Sequence, residues 1–223
     1  VKVIDVEGLL TPALEAELLA LKRPAPIAFA PKQSFGAISA SAATLTPTDI
    51  RFFGGKAANF GLLRRTLPTN SPSPALGLSF DLWDAFRDQT LPGGQTLRVE
   101  ITSRLTPFTN YPPDITTLKT TLAGIRSLIT GTARFTPVQQ QAITNLLTVF
   151  NPQRKIRFRS STNVEDSENF TGAGLYDSYS GCLLDDLDGD TTGPSACDPT
   201  ENNERGVFRA IQRVYASFYN DNA

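Results

Sequence analysis

Histidine and methionine are both absent from the 223 residues. Without an imidazole, a Ser-His-Asp triad, a Cys-His pair and any His-bearing zinc site are excluded. The missing initiator Met reads as a boundary within a larger protein. Cysteine is nearly absent as well: Cys182 and Cys197 cannot by themselves close a structural zinc site. No secretory segment is visible, so two reduced thiols are expected rather than a bridge. Neither sign of charge is in excess. The 21 Lys and Arg against 22 Asp and Glu leave a net −1, which steers the chain toward neither nucleic acid nor an anionic membrane. No apolar run approaches the roughly 20 residues that a membrane-spanning helix needs. A soluble, cytoplasmic protein is expected.

What is present is a globular composition, 40% hydrophobic and 19% charged. The length fits one large domain or two small ones. Residues 1–50 read as a leader and connector, the tail of an upstream region. Within them Thr11 and Pro12 open a helix with Leu14, Leu18 and Leu21 on one face, and residues 22–50 wander. Residues 51–223 read as the domain proper. Residues 66–78 form a proline- and serine-rich loop, and Ser79 caps a helix that turns Trp83 and Phe86 inward. Leu97 to Ile101 alternates like a strand. Asp114 opens an amphipathic helix carrying Ile115, Leu118, Leu122, Ile125 and Ile129. Thr136-Pro137-Val138-Gln139 is a capping box whose helix carries Ala142, Ile143, Leu146 and Leu147 toward a core. Lys155 to Ser160 alternates as a strand, with Tyr176 to Ser180 as its hairpin partner. Residues 183–204 form an acidic surface loop. The last helix presents Val207, Ala210, Ile211, Val214 and Phe218 on one stripe. Helices and strands mix without a βαβ rhythm, so the class is α+β.

Two stretches carry chemistry. In Gly54-Gly55-Lys56-Ala57-Ala58-Asn59-Phe60-Gly61 the glycines let backbone approach a ligand. The helix that follows turns its unpaired N–H groups toward an anion, and Lys56 adds a point charge. It is not a Walker loop, because Ile50 and Ala57 stand where Gly and Ser or Thr are needed. In Arg157-Phe158-Arg159-Ser160-Ser161-Thr162-Asn163-Val164-Glu165-Asp166, a guanidinium leads three hydroxyls. Arg159 can clamp phosphate oxygens bidentately, and the hydroxyls are neutral donors. Arg157 reads as a surface charge. Glu165 and Asp166 either orient a cation or cap the next turn. Gly172 and Gly174 permit a tight loop over a nucleotide.

This ordered set resembles the N-terminal nucleotide-binding domain of the pyruvate phosphate dikinase and phosphoenolpyruvate synthase family, which rifampin phosphotransferase and the glucan water dikinases share. The matching pattern is Gly-Gly-Lys-x-x-Asn-x-Gly, then Arg-Ser-Ser-Thr-x-x-Glu-Asp, a Phe-x-Gly, and Val214-Tyr215-Ala216-Ser217-Phe218-Tyr219. It covers about residues 51–223. The resemblance implies an ATP-grasp-like fold, of which this chain is the first, N-terminal portion. It implies that Lys56 and Arg159 bind ATP phosphates. Gly54, Gly55, Ser160, Ser161, Gly172, Gly174 and Ser178 would line the nucleotide loop. The full protein would then be an ATP-dependent phosphotransferase that passes phosphate through a phosphohistidine domain to pyruvate or another acceptor. ATP and Mg2+ are the expected cofactors. The Mg2+ ligands, a second ATP-grasp subdomain and the phosphohistidine domain are expected downstream, so the chain alone should not turn over. Where the family has Leu-Pro after Glu-Asp, this chain has Ser167-Glu168. Where it has Gln after the loop glycine, this chain has Ala173-Gly174-Leu175.

Two other classes stay open: a non-catalytic nucleotide-binding or scaffolding module that keeps the fold, and an α+β interaction domain with surface cations. Asp185, Asp186, Asp188 and Asp190 around Gly189 fail the EF-hand spacing and read as a solvated loop. Asn169-Phe170-Thr171 is a glycosylation sequon without meaning in the cytoplasm.

Overall fold

The computed structural model describes residues 10–67, 74–165, 172 and 174–222. Asp166, Ser167, Glu168, the 169–171 sequon and Ala173 lie outside them. The order is α1 (Pro12–Lys22), β1 (Ser39–Ser41), α2 (Ile50–Phe53), α3 (Gly55–Thr66), β2 (Leu76–Leu78), α4 (Phe80–Arg87), α5 (Leu97–Leu105), α6 (Ile115–Ser127), α7 (Pro137–Leu147), β3 (Ile156–Phe158), β4 (Tyr179–Gly181) and α8 (Val207–Ser217). β1 pairs antiparallel with β2, and β3 with β4, as two separate two-stranded sheets. The class is therefore α+β. No helix of the described residues is long and apolar enough to cross a membrane.

The core is built on α8. Its 3.6-residue stripe buries Val207, Ala210, Ile211 and Val214 against Ile125 and Ile129 of α6 and its extension, and against Phe158 of β3. Tyr215 sits among Trp83, Phe86, Phe135 and Phe218, with ring centroids 4.5–6.4 Å away. Burial of its phenol pushes its pKa well up. α6 ends in a π turn over Leu128–Thr132. Gln212 of α8 donates from Nε2 to the carbonyls of Ile129 (2.9 Å) and Ala133 (2.7 Å). A buried amide on the α8 stripe thus satisfies backbone oxygens at both ends of that turn.

Side-chain caps open four of the eight α-helices among the described residues. Thr136 accepts from Gln139 N at 3.3 Å while Gln139 Oε1 accepts from Thr136 N at 2.9 Å, a reciprocal box that opens α7. Asp114 accepts from the N–H groups of Thr116 and Thr117 to open α6. Thr11 accepts from Leu14 N to open α1, although α1 buries none of its residues.

Several expectations need correction. Leu97–Ile101 is the first half of α5, not a strand. Thr96 caps it, Glu100 pairs with Arg104 one turn on, and Leu97 and Ile101 share its buried face while Val99 points out. Ser79 precedes α4 but its hydroxyl donates to Ala37 O, not to the helix. The connector is ordered from about residue 30. Gln33 N donates to Arg51 O, Asp81 accepts from the N–H groups of Phe35 and Gly36, and β1 follows; its partner β2 falls within the expected 66–78 loop. Finally, Cys182 and Cys197 are joined in a disulfide, with Cα atoms 5.8 Å apart. The acidic loop is folded rather than solvated throughout. The buried Asp185 carboxylate accepts from Ala196 N (2.8 Å) and Arg205 N (2.7 Å), which brings Cys197 back against the end of β4.

Candidate functional site

The two motifs, more than 100 residues apart in sequence, are bonded to each other. Gly55 N at the start of α3 donates to Thr162 O at 2.9 Å. Ala57 N donates to Ser161 Oγ at 3.0 Å, and that hydroxyl donates on to Phe53 O at 2.7 Å. Gly54 turns at φ +80°, and a Cβ there would stand 2.4 Å from the Ser161 backbone. Both the left-handed conformation and the close approach demand glycine. Gly61, two turns along α3, is held by its other neighbour: a Cβ would meet Leu45 O at 2.3 Å and Ala42 O at 2.4 Å.

Lys56 rides on this junction. Its ammonium donates to Ser160 Oγ at 3.2 Å and forms an ion pair with Glu165 Oε1. Glu165 is wholly buried at its side chain, whereas that of Lys56 is 36% exposed. The other Glu165 oxygen accepts from Thr162 N at 3.2 Å, and Thr162 Oγ1 accepts from Glu165 N at 3.0 Å. This is the reciprocal Thr-x-x-Glu box. Glu165 therefore does both things that the sequence left as alternatives: it caps the turn and it holds a cation. A wholly buried carboxylate is tolerated only when paired and hydrogen-bonded, and here both oxygens are.

Arg159 is placed differently. Exposure alternates along Arg157, Phe158, Arg159 and Ser160, with both arginines outside and Phe158 and Ser160 buried. Arg157 reaches Ser180 Oγ at 3.3 Å on the neighbouring strand. Arg159 has no partner among the described residues. Ser160 bonds Lys56, whereas Arg159, next to it in sequence, points to the opposite face of the strand.

Of the loop that follows, Tyr176 comes within electrostatic reach of Glu165. Gly172 is buried with φ +61°, and Gly174 is exposed with φ +79°. Tyr176 follows, its phenol pKa raised first by burial and then by the charge of Glu165. Its ring meets Phe218 of α8 edge-on at 5.4 Å. Ser178 is half-buried just before β4. Tyr176 was missed from sequence, since nothing local marks it. The Thr162–Glu165 box was open to discovery from its spacing.

One expectation about donors is revised. The first-turn N–H groups of Gly55 and Ala57 were to face an anion, but both are engaged by the second motif. Two clefts of about 370 and 280 Å³ lie elsewhere, lined respectively by Leu91, Pro92 and Glu100 and by Arg126, Tyr179 and Arg213. Asp188, Asp190 and Glu204 bring carboxylate oxygens within 4.8 Å of one another. A hydrogen bond with Asp190 pushes the Glu204 carboxyl up to about 7, so a shared proton relieves that repulsion. Asp185 and Asp186 turn away from this group to backbone N–H donors.

A scan against protein-family models and a search of curated proteins find no match to the chain.

Proposed function

We propose that residues 51–223 are the phosphate-gripping part of an ATP-grasp-like domain in a phosphotransferase of the pyruvate phosphate dikinase and phosphoenolpyruvate synthase type. The observation that carries the reading is the direct bonding of residues 54–57 to residues 160–165. A Lys with one face open to solvent meets the buried Ser160 hydroxyl at a single seam, and Arg159, without a partner among the described residues, precedes that serine on the outer face of the strand. Phosphoryl transfer asks the protein mainly for positioned positive charge, and such a seam supplies it. Lys56 and Arg159 hold the ATP phosphates, and the loop at Gly172 and Gly174 covers the nucleotide. Mg2+ does not fit the described residues here. Glu165 is the carboxylate at the seam, and both of its oxygens are engaged by Lys56 and Thr162 N. The metal ligands, the phosphohistidine and the acceptor belong to partners downstream.

One observation favours the second reading, a nucleotide-binding or scaffolding module without turnover: the Lys56 ammonium already has an ion-pair partner. The cytoplasmic expectation assumed reduced thiols, and a bridge between Cys182 and Cys197 favours an oxidising compartment instead.

The test is titration of MgATP into the full-length protein and its Lys56→Ala and Arg159→Ala variants. Loss of transition-state stabilisation by about 2–4 kcal/mol in each is expected, by analogy with other preorganised donors. Unchanged affinity and turnover in both variants rejects the site.

A further inference from the structure

We infer that Glu165 is a positioning residue for the Lys56 ammonium, and that it aims one remaining N–H of that ammonium at a phosphate oxygen. The inference rests on the reading of the seam as a phosphate site and adds a residue that the family resemblance does not assign. An ammonium has three donors. One goes to Glu165 Oε1 and a second to Ser160 Oγ. The third has no acceptor among the described residues, and the side chain is 36% exposed. A free lysine sweeps its charge through many rotamers; this one is tethered at its tip by a carboxylate that cannot itself move. Glu165 is wholly buried, and its second oxygen is fixed by the Thr162 backbone N–H in a closed box.

Charge and geometry then act in opposite directions. Glu165 cancels much of the Lys56 charge, so an anion is not drawn in by that pair alone. Net attraction comes from Arg159, which is exposed and has no partner among the described residues. Glu165 instead fixes where the third N–H points. Removing its charge while keeping its shape should leave anion attraction intact or stronger, yet spoil aim. Misplacement of about 1 Å costs on the order of 100-fold in rate where geometry is limiting. A merely structural carboxylate would lower the folded fraction and leave the properties of the folded molecules unchanged.

The test uses the full-length protein with MgATP as probe, in wild type, Lys56→Ala, Glu165→Gln and Glu165→Asp. Affinity, transfer of the ATP phosphate and thermal melting are followed together. For Glu165→Gln in its folded fraction, affinity within about threefold of wild type and transfer slowed about 100-fold are expected. Glu165→Asp, which keeps the charge but retracts it, should lie between. Undiminished transfer in folded Glu165→Gln overturns the inference while leaving the site reading intact; undiminished affinity and transfer in Lys56→Ala overturn the site reading itself. Should the variants fail to fold, the wild-type Lys56 ammonium decides. Its Nζ–H signal should exchange slowly in NMR spectra before ligand is added and shift on addition of MgATP. Fast exchange without ligand overturns the tether. Slow exchange with no shift overturns the site reading.

Discussion

Glu165 and Asp186 are two carboxylates turned into the protein near a helix start, and they are held by different chemistry. Glu165 faces a cation, Lys56, in the first turn of α3. Asp186 has no cation partner among the described residues; its Oδ2 accepts from Val207 N and, at 3.4 Å, from Phe208 N, capping α8 from a distance. Burial outweighs those hydrogen bonds and pushes the Asp186 carboxyl up to about 6. A carboxylate tied to backbone can only hold a helix end in place. One tied to the tip of a half-exposed lysine also controls where a charge points. The acidic loop is thus held through backbone donors, and the 54–165 seam through a half-exposed side-chain charge.

The glycines of the two regions break this comparison most sharply. At Gly54 an added Cβ lies 2.4 Å from Ser161 backbone atoms, and φ is +80°. Neither can yield, so Gly54→Ala should cost on the order of 4 kcal/mol and part the two motifs. At Gly206 the Cβ would meet Asp186 Oδ1 at 2.1 Å, but φ is −60° and a carboxylate can swing aside. That variant should lose only the α8 cap, about 1–2 kcal/mol. Chemical denaturation of the two variants checks the ranking; a Gly206→Ala variant worse than Gly54→Ala reverses it.

Next in size is the bridge. Cys182 and Cys197 close a loop of 15 residues, which constrains the unfolded chain by about 3 kcal/mol. Reduction should lower the melting temperature by roughly 6–12 °C for a chain of this size. It should leave the Lys56–Glu165 seam as it was, since the bridge joins the end of β4 to the acidic loop. Melting with and without reductant, alongside Lys56 ammonium NMR, tests both halves. A seam that collapses on reduction would make the two regions one unit.

Much of the fold was legible because it is written locally. Thr136 and Gln139, Asp114, and the α8 stripe each declare a helix within a few residues. So does the alternation at Ile156 and Phe158, which also foretold β4 as a partner. α5 was misread because Leu97, Val99 and Ile101 fit a strand period, while Leu97 and Ile101 equally fit one helical turn. Five residues do not separate the two. Only Thr96 and the Glu100–Arg104 pair settle it. The bridge was missed because no local pattern announces that Asp185 will gather the N–H groups of Ala196 and Arg205. At the seam, sequence named Lys56, Ser160 and Ser161, and the structure joins them. What it could not give is the use of each donor. Gly55 N and Ala57 N serve the second motif, and Arg159 lies on the face of the strand opposite Ser160. Such assignments depend on tertiary contacts between segments 100 residues apart.

The smallest effect concerns acid. Unfolded, Asp186 should titrate near 3.8; folded, it titrates at about 6, so the native state binds more protons between those values. Its contribution to stability is then fully present below about pH 4 and is lost as pH rises through 6. Because the side chain is partly exposed, the swing should be about 1–2 kcal/mol rather than the full value of the shift. Asp186→Asn keeps an acceptor for Val207 N without the charge, and should flatten this part of the profile and gain stability at pH 7. Glu165→Gln serves as the contrast: there the charge has a cation to meet, and its loss at pH 7 should destabilise. Urea denaturation of both variants from pH 4 to pH 8 reads the two signs directly. If both variants move the same way at pH 7, the distinction between a scaffold carboxylate and one that steers a lysine is lost.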